Sequence, residues 1–213
     1  GGSTSELTLQ LCIDIAKKYH MNEVQMHLTC TNMDESTVIN SLNEAKKNGI
    51  QNIVALRGDE YKEAGNSRFK YAIDLIRFIK SKYNDYFGIA VAGYPEGHPD
   101  ALSYKQDLIY LKDKIDAGGD YIITQFFYDI NTFLNFVKDC RNIGITCPII
   151  PGILPFFDYK SFHKMIGLTT VSIPPKLLEH LETIKDDKDK IYKYGVDICV
   201  QLCKDLIADG FKH

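Results

Sequence analysis

Five short apolar runs recur along this 213-residue chain at intervals of about 30 residues, the first four each closed by a polar string and followed by an amphipathic segment. A strand, a crossover helix and their connections occupy about that length, so the period restricts the chain to repeated βα units and a parallel sheet. The runs are residues 23–28, 52–56, 87–92, 121–125 and 148–151. Their near-continuous apolar character predicts strands buried on both faces. The closing strings are Met26-His27-Leu28-Thr29-Cys30, Leu56-Arg57-Gly58-Asp59, Ala92-Gly93-Tyr94-Pro95 and Ile123-Thr124-Gln125-Phe126. Polar groups thus collect at the carboxyl ends of successive strands, where α/β proteins build their sites.

Between the runs the hydrophobic period changes to that of helices. Residues 8–18 form one amphipathic segment, with Ser3, Thr4 or Ser5 as possible caps. In 34–47, Val38, Ile39, Leu42 and Ala45 keep three- and four-residue spacing, and Gly49 ends the helix. Further helices are expected over 71–79, 103–117 and 131–140. After Pro155 only helices are expected: 159–166, one following Pro174-Pro175, and 191–208 with Gly210 as its stop. The run Lys185-Asp186-Asp187-Lys188-Asp189-Lys190 reads as a solvated approach to the last of these. No Ser/Gly-rich linker or low-complexity tract divides the chain, so a single domain over 1–213 is expected.

The formal charge is −3, from 25 basic and 28 acidic residues, which makes no electrostatic case for nucleic acid or an anionic membrane as partner. No apolar stretch approaches the roughly 20 residues of a spanning helix, and no basic region followed by an apolar core opens the chain. A soluble, cytoplasmic protein is expected. Cys12, Cys30, Cys140, Cys147, Cys199 and Cys203 contain no C-x-x-C pair and read as reduced, mostly buried thiols, with Cys147 in the core. None is assigned to metal or catalysis.

Repeated βα units close into a (β/α)8 barrel or form an open doubly wound sheet. The open sheet would carry a glycine-rich phosphate loop after its first strand, and neither G-x-G-x-x-G nor G-x-x-x-x-G-K-[ST] occurs. Polar strings at nearly every strand end favour the TIM-barrel class. About five parallel strands fall short of the barrel's eight, so an incomplete barrel is expected.

The strand ends offer Thr29, Arg57, Gly93, Gln125 and Gly152 rather than a lysine, which disfavours Schiff-base chemistry. His27, Asp59, Glu96 and His98 are conceivable metal ligands, but no H-x-H or H-E-x-x-H pair brings two together, and no metal is assigned. What remains is a lining of Arg57, Asp59, Tyr71, Tyr94, His98, Gln125, Phe126 and Phe127, suited to a large planar cofactor that carries the reaction itself. Taken singly, each has a plain reading. Phe126, Phe127 and Tyr128 fit core packing, His27 fits a satisfied core histidine, and Arg57-Gly58-Asp59 fits a charged turn.

Taken together, His27-Leu28-Thr29-Cys30, Ala55-Leu56-Arg57-Gly58-Asp59, Ala92-Gly93-Tyr94-Pro95-Glu96-Gly97-His98-Pro99, Lys114-Ile115-Asp116-Ala117-Gly118, Thr124-Gln125-Phe126-Phe127 and Pro151-Gly152-Ile153-Leu154-Pro155 resemble the catalytic domain of methylenetetrahydrofolate reductase, in order and approximate spacing. The resemblance implies a flavoprotein barrel. In such a barrel FAD receives a hydride from NADH or NADPH and delivers it to 5,10-methylenetetrahydrofolate, giving 5-methyltetrahydrofolate. It implies FAD contacts at His27, Arg57, Gly58, Asp59, Tyr71, Ala72, Tyr94, His98, Ala101, Asp107 and Lys114. Tyr94 would lay its ring near the isoalloxazine, while Arg57 and Lys114 would meet phosphates or polar edges. Asp107 and Lys114, seven residues apart, share one helix face. Asp59 is the implied catalytic group: its carboxylate would stabilise the iminium cation formed as the folate ring opens. Asp59 and Gln125 are the implied substrate-binding residues, with Gln125 hydrogen-bonded to the pterin. A homo-oligomeric full-length protein is implied as well.

The family's first strand carries an E-F-F-P-P-like motif whose glutamate is the general acid, and this chain has no such motif. By the resemblance, counterparts of the first, second and eighth strands and of the regulatory domain are expected to be missing from the segment. Alone it is therefore expected to be inactive. The alternative outside the enzyme class is a truncated paralogue that acts as a nucleotide-binding or interaction module.

Overall fold

The computed structural model describes residues 5–19, 23–31, 33–58 and 69–211. Their order is α1 (Ser5–Tyr19), β1 (Gln25–Thr29), α2 (Glu35–Lys47), β2 (Asn52–Leu56), α3 (Ala72–Tyr83), β3 (Gly88–Gly93), α4 (Tyr104–Asp116), β4 (Tyr121–Phe126), α5 (Ile130–Asn142), β5 (Ile149–Gly152), α6 (Tyr159–Ile166), α7 (Pro175–Thr183) and α8 (Lys188–Ala208). All five expected strands form, and every expected helix lies within a few residues of its expected span. Ser3 and Thr4 lie outside the described residues, and Ser5 is the first residue of α1.

The strands make one five-stranded parallel sheet in the order β1-β2-β3-β4-β5. A doubly wound sheet reverses its strand order at a switch point, and this one does not. Strictly sequential order with right-handed crossovers is the winding of a (β/α) barrel. The chain divides into two compact units, residues 1–92 with 111–122, and residues 93–110 with 123–213.

In the first unit, β1 pairs with β2 in the register Gln25↔Asn52 to Thr29↔Leu56, and β2 with β3 from Asn52↔Gly88 to Ala55↔Val91. Partners in a parallel register point to the same face, so Gln25, Asn52 and Gly88 share one side and Met26, Ile53 and Ile89 the other. Met26, Leu28, Ile53, Ala55, Ile89 and Val91 are all buried. On the first face the side chain of Gln25 hydrogen-bonds the Tyr121 hydroxyl, although β1 and β4 are separated by two strands. In a flat sheet those strands would stand roughly 14 Å apart with side chains parallel, so the bond requires the sheet to curl. Small residues at Gly88 and Ala90 accommodate the curl; the Asn52 Oδ1 would lie 3.0 Å from any Cβ placed on Gly88.

Burial on both faces holds for β2, where Ile53, Val54 and Ala55 are all buried, and for Ile89 to Val91 of β3. It fails for β1 and β4. In β1, Met26 and Leu28 are buried while His27 is exposed; in β4, Ile122, Thr124 and Phe126 are buried and Tyr121, Ile123 and Gln125 only partly. The physical reason is period two: His27, Thr29 and Gln125 fall on the face that carries the polar groups.

In the second unit, Phe126, Tyr128, Phe156, Phe162, Leu177, Leu181 and Ile191 form a core that joins β4 to α6, α7 and α8. Gly195 of α8 sits against the backbone carbonyl of Phe156. Phe127 stacks on Phe133 of α5 at 5.0 Å, and Phe133 meets Phe211 edge-on at 4.9 Å. The plain reading of the aromatic triplet is therefore the right one: Phe126, Phe127 and Tyr128 are core residues, 7%, 1% and 8% exposed. The α8 helix begins three residues before its expected start because Asp187 caps it, accepting the Lys190 N–H at 3.1 Å. The second half of the charge run is thus helical. All six cysteines are free thiols; Cys12, Cys30, Cys140 and Cys199 are buried, Cys203 is exposed, and Cys147 is half-buried rather than core.

Asp34, Asp158 and Asp187 cap α2, α6 and α8, and their carboxyls are held below the ordinary value chiefly by hydrogen bonds from Thr37, Ser161 and Lys190 respectively. A depressed carboxyl adds stability above its unfolded value and loses it as pH falls through the folded one. The melting temperature is therefore expected to drop below about pH 4. Asp158→Asn and Asp187→Asn keep a good cap and are expected to flatten that acid limb in thermal melts recorded from pH 6 to pH 2.5.

Candidate functional site

In the first unit the ends of β1 and β2 are laced together by backbone. The carbonyl of Arg57 accepts from the N–H groups of Cys30 (3.2 Å) and Thr31 (2.8 Å) and from the Thr31 hydroxyl (2.6 Å). Gly58 follows at φ +86°, a left-handed conformation that glycine adopts without strain. A Cβ there would stand 3.1 Å from Thr29 Cβ, so a side chain at this position meets both strain and crowding. The half-buried Arg57 guanidinium and the half-buried Thr29 therefore sit at one strand-end junction. Asp59, the implied catalytic group, lies outside the described residues.

Thr31 is the residue that sequence reasoning missed here. Its signal was visible as the polar continuation of the Thr29-Cys30 string. Thr31→Val removes the hydroxyl donor to the Arg57 carbonyl at nearly constant volume, and is expected to cost about 1 kcal/mol in urea unfolding. Cys30, buried beside the same carbonyl, has its thiol pushed up to about 11 by burial, which makes it a poor nucleophile.

Tyr71 and Ala72 form the start of α3. The Asp74 carboxylate accepts the Tyr71 N–H at 2.9 Å and the Lys70 N–H at 3.0 Å, closing the helix terminus from inside. The Tyr71 ring is half exposed. Lys114, on the last turn of α4, reaches back to the carbonyl of Ala92 on β3 at 2.8 Å. Its ammonium thus stands at the carboxyl end of a strand.

In the second unit the segment after β3 is a tight turn. The Gly97 N–H donates to the Tyr94 carbonyl at 2.9 Å, Pro95 occupies the position that favours its fixed φ, and Gly97 takes φ +85°. The turn brings the Tyr94 and His98 rings edge to face at 4.6 Å. The Asp107 carboxylate on the first turn of α4 accepts the His98 N–H at 3.1 Å, and His98 Nδ1 accepts the Asp100 N–H at 3.0 Å. Ala101 donates its N–H to the His98 carbonyl at 3.0 Å. Four residues named from the sequence, Tyr94, His98, Ala101 and Asp107, are thus joined by hydrogen bonds and one ring contact. Gln125 lies half-buried on β4, on the same face of that strand as Tyr121, with its Oε1 3.1 Å from the Phe126 N–H.

Within the first unit Arg57 and Lys114 are cations of the kind that pair with phosphate; within the second, Tyr94 and His98 are rings with polar edges. Among the described residues no group of three or more His, Cys, Asp and Glu is arranged to hold a metal ion. No described helix is long and apolar enough to cross a membrane.

Comparison with known proteins follows the same direction. The family description methylenetetrahydrofolate reductase matches residues 1–213. A probable methylenetetrahydrofolate reductase (NADH) of Oryza sativa subsp. japonica is 47% identical over 228 residues, covering 100% of this chain and 38% of the relative. A probable methylenetetrahydrofolate reductase (NADPH) of Caenorhabditis elegans is 44% identical over 193 residues, covering 88% of this chain and 29% of the relative. Methylenetetrahydrofolate reductase 2 of Saccharomyces cerevisiae is 44% identical, with 99% and 36% covered. The chain therefore spans between 29% and 38% of the length of these relatives. Among solved structures, an uncharacterized protein from Clostridium thermocellum that binds two copies of 5-methyl-5,6,7,8-tetrahydrofolic acid superposes with a TM-score of 0.58 at 18% identity, over 93% of this chain and 67% of that one, a likeness of fold. With the match running from the first residue to the last, and with strand-end strings in the expected order, this chain belongs to the methylenetetrahydrofolate reductase family.

Proposed function

We propose that the protein carrying this chain reduces 5,10-methylenetetrahydrofolate to 5-methyltetrahydrofolate, with NADH or NADPH as donor and FAD as the carrier between them. The observation that supports this most is the family match over residues 1–213, joined by named relatives of both nicotinamide types. The folate ligand of the Clostridium thermocellum protein agrees with it.

In this reading His27, Arg57, Gly58, Asp59, Tyr71, Ala72, Tyr94, His98, Ala101, Asp107 and Lys114 hold FAD, whose contribution when bound is two-electron transfer. Arg57 and Lys114 counter negative charge. Tyr94 offers a ring face near the reacting end, and its edge contact with His98 fixes that ring. Asp107 acts through His98, whose backbone it anchors. Gln125 orients the pterin by hydrogen bonding. Asp59 stabilises positive charge developing on the folate, so its effect belongs to the transition state rather than to binding.

The test is a pair of anaerobic half-reactions on the longest natural protein that contains this chain. Flavin absorption that bleaches with NADH or NADPH and returns with methylenetetrahydrofolate is the expected result. A protein that copurifies with no flavin and takes up none when FAD is added overturns the reading. Flavin that binds but never turns over favours the nucleotide-binding module instead.

A further inference from the structure

Between α6 and α7, a turn at residues 167–169 leads into residues 170–174, which are neither helix nor strand. Val171 and Ile173 pack against the core formed by Phe126, Tyr128, Phe162 and Leu177. The groups between them turn the other way. The Thr170 hydroxyl donates to the Gly97 carbonyl at 2.8 Å, and the Ser172 N–H donates to the Glu96 carboxylate at 2.9 and 3.0 Å from its two oxygens. These bonds join residues 73 and 76 positions apart in the chain. They grip the Tyr94–Gly97 turn at Glu96 and Gly97, its third and fourth residues, between Tyr94 and His98.

We infer that Glu96 and Thr170 are positioning residues, and that residues 169–173 form a strap holding the Tyr94-to-His98 turn in its flavin-binding conformation. The inference rests on the proposed function, since it gives those two rings the flavin as ligand. The same core that seats Val171 and Ile173 includes Phe126, the neighbour of Gln125 on β4. One packed body thereby sets the position of the turn proposed for flavin and of the strand end proposed for folate.

A carboxylate accepting a backbone N–H is among the stronger hydrogen bonds available. Its loss leaves the turn free to sample other conformations, and ligand affinity falls in proportion to the competent fraction. Glu96 does not need to touch the flavin for this to operate. Its carboxylate is committed to Ser172, and the hydroxyl of Thr170 to Gly97.

The experiment is FAD titration of the apo form of the longest natural protein, at a temperature below the melting transition of every variant. Wild type, Glu96→Ala, Glu96→Gln, Thr170→Val and Thr170→Ser are compared, each with its melting curve. Glu96→Ala is expected to raise the FAD dissociation constant about tenfold and Thr170→Val about threefold. Glu96→Gln keeps an oxygen that accepts the Ser172 N–H, and Thr170→Ser keeps the hydroxyl, so both are expected to stay within about twofold of wild type. Hydrogen exchange at residues 96–101 is expected to quicken in the weakened variants. Wild-type affinity in Glu96→Ala and Thr170→Val overturns the strap. So does a melting temperature that falls while affinity holds. A wild type that binds no FAD at all overturns the proposed function first and the strap with it, and that outcome is distinct from the other two.

Discussion

Gly195→Ala is expected to destabilise the fold by about 3 kcal/mol, against the usual direction for a helix. At an exposed interior helix position, replacing glycine by alanine gains up to about 1 kcal/mol. In α8 the added methyl would overlap the Phe156 carbonyl oxygen, with the carbonyl carbon and the ring Cδ2 each 3.0 Å away. Nothing flexible is available to yield: the oxygen is backbone, and Phe156 is 3% exposed within the core. A loss of this size lowers the melting temperature of a domain this long by roughly 6–12 °C. Thermal and urea unfolding measure it, and a variant stabilised by helix propensity would show that α8 can move away from Phe156. Gly152→Ala repeats the experiment on β5, where the methyl would overlap the Thr124 carbonyl oxygen, and the same direction is expected.

Asp59→Asn is expected to slow flavin reoxidation by methylenetetrahydrofolate by about 10²-fold, the scale on which a well-placed electrostatic stabiliser acts. The nicotinamide half-reaction passes no positive charge to the folate, so its rate is expected to change by less than about tenfold. Stopped-flow absorption in the two half-reactions separates these effects. Equal slowing of both would make Asp59 a determinant of the flavin itself rather than of the folate. The contrast with Glu96→Ala is informative, because under the proposals a positioning residue is expected to shift FAD affinity and Asp59 one rate.

Helices and strands were legible because their periods are local. Val38, Leu42 and Ala45 of α2 are all buried, as their spacing requires, and β2 begins and ends where its apolar run does. Caps explain the differences. Asp34 is an N-cap rather than a helical residue, and Asp187 draws three charged residues into α8. Of the residues named from the sequence for the candidate site, Tyr94, His98, Ala101 and Asp107 lie together, joined by hydrogen bonds and one ring contact. Thr31 and Thr170 were not, because each works through a bond to a carbonyl far along the chain, and no spacing encodes such a bond.

The period of about 30 residues was enough to require βα units, and the polar strings were enough to reveal the family. Both depend on residues close together in the chain. Whether an apolar or aromatic residue serves the core or a site depends on what arrives opposite it in space. Only packing could assign Phe126, Phe127 and Tyr128 to the interior, leave His27 exposed on its strand, and reach across two intervening strands to join Gln25 with Tyr121. Packing alone also brought Ser172 to Glu96, since a hydrogen bond between residues 76 apart exists only once the core beneath Val171 and Ile173 has formed.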